Sequence, residues 1–102
     1  MSADPLHVQV ARALNWDNLH ERTGGHWWGR EPHGGLTITV PRYDTSWCSV
    51  GPLVQRFDID IMRRSTSWEA TNGGDAFAIS DTPQSAIARL IVELAKQEKL
   101  PK

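Results

Sequence analysis

The segment that most limits the fold is the last long one. Asp81-Thr82-Pro83 sets a capping side chain ahead of a proline at the first helical position, and Ile87, Leu90, Ile91 and Leu94 then recur at steps of three and four. That spacing predicts a helix over residues 83–98 with one apolar stripe, closed by Lys96 and Lys99 where the helix dipole favours positive charge. Such a stripe has to be buried against another layer.

The other patterned segments supply that layer. In Leu36-Thr37-Ile38-Thr39-Val40 the apolar residues alternate with threonines, which predicts a strand over 36–40 stopped by Pro41. Residues 26–31 pair with it through the turn Pro32-His33-Gly34-Gly35, giving a first hairpin. Ile59 and Ile61 alternate with Asp58, Asp60 and Met62, and Trp68 and Ala70 alternate with Glu69 and Thr71, so a second hairpin turns at Arg64-Ser65-Thr66. After the turn Asn72-Gly73-Gly74-Asp75, residues 76–80 form a short last strand carrying Phe77 and Ile79.

Two more helices precede the closing one. Asp4-Pro5 opens the first, over 4–14, and Asn15-Trp16 ends it with Trp16 folding back over the core. Asp44, Thr45 or Ser46 caps the second, over 44–57, whose Trp47, Val50, Val54 and Phe57 share a face. Gly51-Pro52 argues against its continuity, since an interior proline costs about 3 kcal/mol. The second helix therefore either starts near Gly51 or kinks there. The expected fold is α+β, one domain over residues 1–102, with three helices packed on a mostly antiparallel four- or five-stranded sheet. It is two-layered, or αβα if the second face is covered.

Eleven basic residues against twelve acidic ones give a net charge of −1, which argues against direct nucleic-acid or membrane binding through a basic excess. No apolar run approaches the ~18 residues of a membrane span. The single cysteine, Cys48, leaves no internal disulfide, and no signal-peptide pattern opens the chain, so the expected compartment is the cytoplasm.

Five tryptophans are a large apolar load for 102 residues, and two of them are adjacent in Gly24-Gly25-His26-Trp27-Trp28-Gly29-Arg30. Neighbours on a strand point to opposite faces. Arg30 has to face water, which puts Trp28 and His26 on the outward face and sends Trp27 inward to join Trp16, Trp47 and Trp68 in the core. Thr37 and Thr39 on the paired strand extend that outward face, with Asp58 and Asp60 as further candidates. An exposed tryptophan beside an arginine is the composition of a binding hot spot, so His26, Trp28, Arg30, Thr37 and Thr39 are the candidate partner-binding residues. The alternatives are a self-associating structural or regulatory module, with this face or a sheet edge buried in a homodimer, and a small-ligand-binding domain with its pocket between the Gly24-to-Gly29 hairpin and the closing helix.

Other chemistry lacks a signature. His20, His26, His33 and Cys48 stand too far apart in sequence for a compact metal-ligand pattern, so no metal or other cofactor is expected. No nucleophile elbow or phosphate loop occurs, and Cys48 has no motif around it, so no catalytic residues are assigned and an enzyme is not expected. The glycine pairs at 24–25, 34–35 and 73–74 read as turns with positive φ.

Taken in order, the blocks ALNWD, GGHWWGREPHGG, VPRYDTSW, GPLVQRF, SWEAT and ISDTPQSAIARLIVELA resemble small phage and prophage proteins of the phage αβα-sandwich domain family. The pieces Val40-Pro41-Arg42-Tyr43 and Thr82-Pro83 through Arg89 discriminate best. The resemblance implies a gene of a phage or mobile element, helices on both sheet faces, and no enzymatic role. It further implies a partner in the bacterial host cell, a host protein bound and blocked by the chain, with CRISPR effectors and other defence complexes as the class of target.

Overall fold

The computed structural model describes residues 4–32, 34–73 and 76–97. In order these form α1 (Leu6–Ala13), β1 (Asp17–Arg22), β2 (His26–Arg30), β3 (Thr37–Thr39), α2 (Trp47–Arg56), β4 (Asp60–Arg63), β5 (Trp68–Thr71), β6 (Phe77–Ser80) and α3 (Pro83–Lys96). The chain is α+β with three helices, but its strands make two three-stranded antiparallel sheets, β1-β2-β3 and β4-β5-β6, instead of one sheet of four or five. Two causes separate expectation from outcome. β1 reads Asp-Asn-Leu-His-Glu-Arg, one apolar residue among five polar ones, so alternation gives no sign of it, and pairing to β2 makes it a strand. Every ladder also joins strands that are neighbours in sequence, and α2 stands between the two sets.

α3 is the centre of the packing. Thr82 caps it, its Oγ1 accepting from the Ser85 backbone N–H, and Pro83 occupies the first turn where a missing N–H costs nothing. Ile87, Leu90, Ile91 and Leu94 are fully buried against β5, β6, α1 and α2. One apolar cluster joins them to Val10, Leu14, Trp16, Val40, Val50, Leu53, Phe57 and Ile59, so both sheets share a core. Lys99 and the predicted end of this helix at residue 98 lie outside the described residues.

α1 and α2 end in the same way. After α1, Asn15 turns left-handed at φ 69°, and the Trp16 N–H donates to the Ala11 carbonyl while the Asn15 N–H donates to that of Arg12. After α2, Asp58 turns at φ 55° and the Ile59 N–H reaches the Val54 carbonyl. Both are Schellman closures with a buried residue just beyond, Trp16 in one case and Ile59 in the other. Trp16 thus folds back over the core as its position after the helix predicts.

Several details depart from expectation. Pro5 stands at the N-cap of α1, where its carbonyl takes the Val8 and Gln9 N–H groups, while the Asp4 carboxylate pairs with Arg12 and does not cap. α2 begins at Trp47, before Gly51-Pro52, and runs through the proline; Ser46 is its N-cap without a side-chain hydrogen bond. Pro52 has no N–H to donate back to the Cys48 carbonyl, and both residues are exposed. Trp47, expected in the core, is 48% exposed, because the first turn of α2 reaches past the edge of the layer that Val50 and Leu53 enter. Trp68 is half-buried against the core, with the Arg63 guanidinium 5.5 Å from its ring centre. Leu36 precedes β3 and is exposed, so only Ile38 and Val40 of that alternating run face inward. Gly24, Gly25 and Gly73 take positive φ, whereas Gly34 and Gly35 do not, and Gly74 is outside the described residues.

The outer faces of both sheets carry exposed side chains, so the arrangement with helices on both faces of one sheet is not adopted. No helix among the described residues is long and apolar enough to cross a membrane.

Candidate site on the open face of the first sheet

Three residues, Thr23-Gly24-Gly25, connect β1 to β2, with both glycines at φ near +80°, a conformation that side chains resist. This turn fixes the register. Arg22 lies opposite His26, His20 opposite Trp28, and Asp17 opposite Arg30. Three steps on β1 match two on β2 between the last two pairs, a bulge with Asn18 at φ 57°, and it returns Asp17 to the same face as His20. On the other side Trp28 lies opposite Thr39 and Arg30 opposite Thr37.

The five residues expected to share a face therefore do: His26, Trp28 and Arg30 from β2, Thr37 and Thr39 from β3. Among the described residues no helix lies over them. Asp58 and Asp60 are elsewhere, at the end of α2 and on the second sheet. His33 is outside the described residues. The inner face carries Leu19, Trp27 and Ile38, all packed against the core, and Gly29. A Cβ on Gly29 would stand 2.6 Å from Leu19 Cδ2 and 3.2 Å from Trp16 Cε3, so the glycine lets these two side chains press against the strand.

Sequence reasoning missed the β1 contribution, and it is this strand that shapes the site. Trp28 is half-buried, because the Arg22 guanidinium lies over its ring 4.3 Å from the centroid. Arg22 Nε also donates to His20 Nε2 at 3.1 Å, and His20 Nδ1 is 2.7 Å from the Asn18 carbonyl, to which it donates. His20 is thereby held with its proton on Nδ1, Arg22 is held by His20, and Trp28 is held by Arg22. Arg30 Nη2 donates to Asp17 Oδ2 at 2.8 Å, so that cation is neutralised at the surface. The sequence signal for β1 was the Gly24-Gly25 turn itself, which needs a strand before it as well as after it.

The result is a rigid aromatic plate with polar neighbours, open to solvent, suited to docking a flat surface. Among the described residues no cluster of three or more His, Cys, Asp or Glu side chains gathers to hold a metal ion. No protein-family model matches the chain, and no curated protein matches its sequence.

Proposed function

We propose that the chain is a non-enzymatic binding protein that docks a protein partner on the open face of β1-β2-β3 and acts by steric occlusion. The observation that carries this reading is Trp28, fixed on a face without a covering helix and stacked by Arg22. Tryptophan and arginine together at the centre of a patch supply most of the energy in many interfaces. The resemblance to phage αβα-sandwich proteins supports a phage or mobile-element source and a host protein as the target, of the class of CRISPR effectors and other defence complexes.

The test is affinity capture from bacterial host lysate with the wild-type chain and with Trp28→Ala and Thr39→Arg, followed by mass spectrometry. Captured protein lost in both variants, while both keep their fold by circular dichroism, supports the reading. Capture that is indifferent to both substitutions sinks it.

A further inference from the structure

The second sheet ends at β6, and among the described residues the β6 backbone bonds to β5 and to nothing on its other side. Open edges are ordinarily guarded by charge, proline, a bulge or a covering element. β1 carries Asp17, Glu21 and Arg22 and a bulge; β4 carries Asp60 and Arg63; β3 is only three residues long and is followed by Val40-Pro41. β6 reads Phe-Ala-Ile-Ser, with no charged side chain, proline or bulge within its four residues, and Asp81 and Pro83 come only after the strand has ended. Its edge borders a groove of about 510 Å³ bounded by Leu6 and Gln9 of α1 and by Arg89 and Glu93 of α3. On the outer face of this sheet Phe77 and Ile79 are 57% and 46% exposed. Met62 is exposed on the same face, separated from Ile79 by Glu69 of β5, which pairs with Arg64.

We infer that β6 pairs antiparallel with β6 of a second copy, joining the two second sheets into one six-stranded sheet in which Ala78 faces its own counterpart across the two-fold axis. A two-fold perpendicular to a sheet keeps every residue on its own face, so one residue of the strand has to lie opposite its own copy, with the axis midway between them. Centring on Ala78 sets Phe77 opposite the partner subunit's Ile79, and Ile79 opposite the partner subunit's Phe77, an aromatic and β-branched pair made twice. Charge points to the same occupant. Arg89 and Glu93 lie one helical turn apart along the groove, with Lys96 one further turn on, and none of the three sits in an ion pair among the described residues, though Glu93 accepts from Gln97 Nε2 at 3.0 Å. Across a two-fold such a pair is self-complementary, each cation meeting the other copy's carboxylate. This interface uses none of the residues of the first sheet, so it leaves the Trp28 face free for a different partner.

Sedimentation equilibrium on the full chain tests it. The average mass should move from one chain to two as concentration rises roughly a hundredfold. Phe77→Lys, Arg89→Glu and Glu93→Arg should each weaken the dimer by at least about tenfold in Kd, the charge reversals because they set like charges face to face. The double variant R89E/E93R should restore wild-type association to within about threefold, and Trp28→Ala should leave it unchanged. The surface charge swaps keep the test valid if Phe77→Lys fails to fold. A single-chain mass throughout, a dimer indifferent to the charge swaps, or a dimer lost on Trp28→Ala overturns the inference.

Discussion

Trp27 and Trp28 are one bond apart and face different surroundings, so truncating each in turn measures how open the first sheet is. Trp28→Ala removes a cation–π contact with Arg22 worth about 0.5–1 kcal/mol at an exposed site. It also removes cross-strand contacts with His20 and Thr39 at roughly 0.2–1 kcal/mol each. The expected loss is about 1–3 kcal/mol, or roughly 4–24 °C in Tm for a domain of this size. Trp27 is partly buried and packs against the core, and Trp27→Ala should cost about 3–5 kcal/mol through the cavity it leaves there. Urea denaturation of both variants, with Arg22→Ala and the Arg22/Trp28 double variant completing a cycle, separates the contributions. The coupling between Arg22 and Trp28 should be about 0.5–1 kcal/mol. Equal losses at the two tryptophans, or no coupling to Arg22, would refute the assignment of Trp28 to an open face.

Three further outcomes follow from local geometry. Asp58→Gly should stabilise the chain by about 0.5–1 kcal/mol in thermal melts, because Asp58 holds φ 55° where a Cβ is strained and glycine is not. Gly29→Ala should destabilise by about 1–3 kcal/mol in the same melts, since its Cβ drives Leu19 and the Trp16 ring out of the core. Tyr43, the chain's single tyrosine, is buried, and burial first, then the Glu31 charge, pushes its hydroxyl from 10.0 up to about 12. The folded state thus keeps a proton the unfolded state has lost, so this contribution to stability is complete below pH 10 and fades as pH rises through about 12. Tyrosinate absorbance of the native chain should titrate in that upper range, and Tyr43→Phe should flatten the alkaline slope of stability.

How much of this was legible in the sequence differs by element. The cap, proline and stripe of α3 are local signals, and local signals carry. So do the end of α1 at Asn15-Trp16 and the phase of β2, since a charged Arg30 leaves little choice of face. Phase and pairing together placed His26, Trp28, Arg30, Thr37 and Thr39 side by side. The rest depended on partners the pattern does not name. β1 is a strand because β2 pairs with it, and its charged side chains then become the clamp on Trp28. Trp47 has the right spacing for a core residue, but it stands in the first turn of α2 and stays exposed while Val50 and Leu53 further along are buried. The division into two sheets is invisible to alternation, which reports that a strand has two faces and not which neighbour it chooses.

That division also sets an order of events during synthesis. Each sheet is a meander whose strands are consecutive, so its ladders can close as soon as its own stretch of chain is available. The helices obey a different rule: α1 packs on α3, at the far end of the sequence. While the chain is being made, Val8, Val10 and Ala11 have no covering surface until α3 has left the ribosome. α1 is therefore made well before the helix it packs on, and a pause or truncation ahead of Pro83 would leave two formed sheets with their common core still wet.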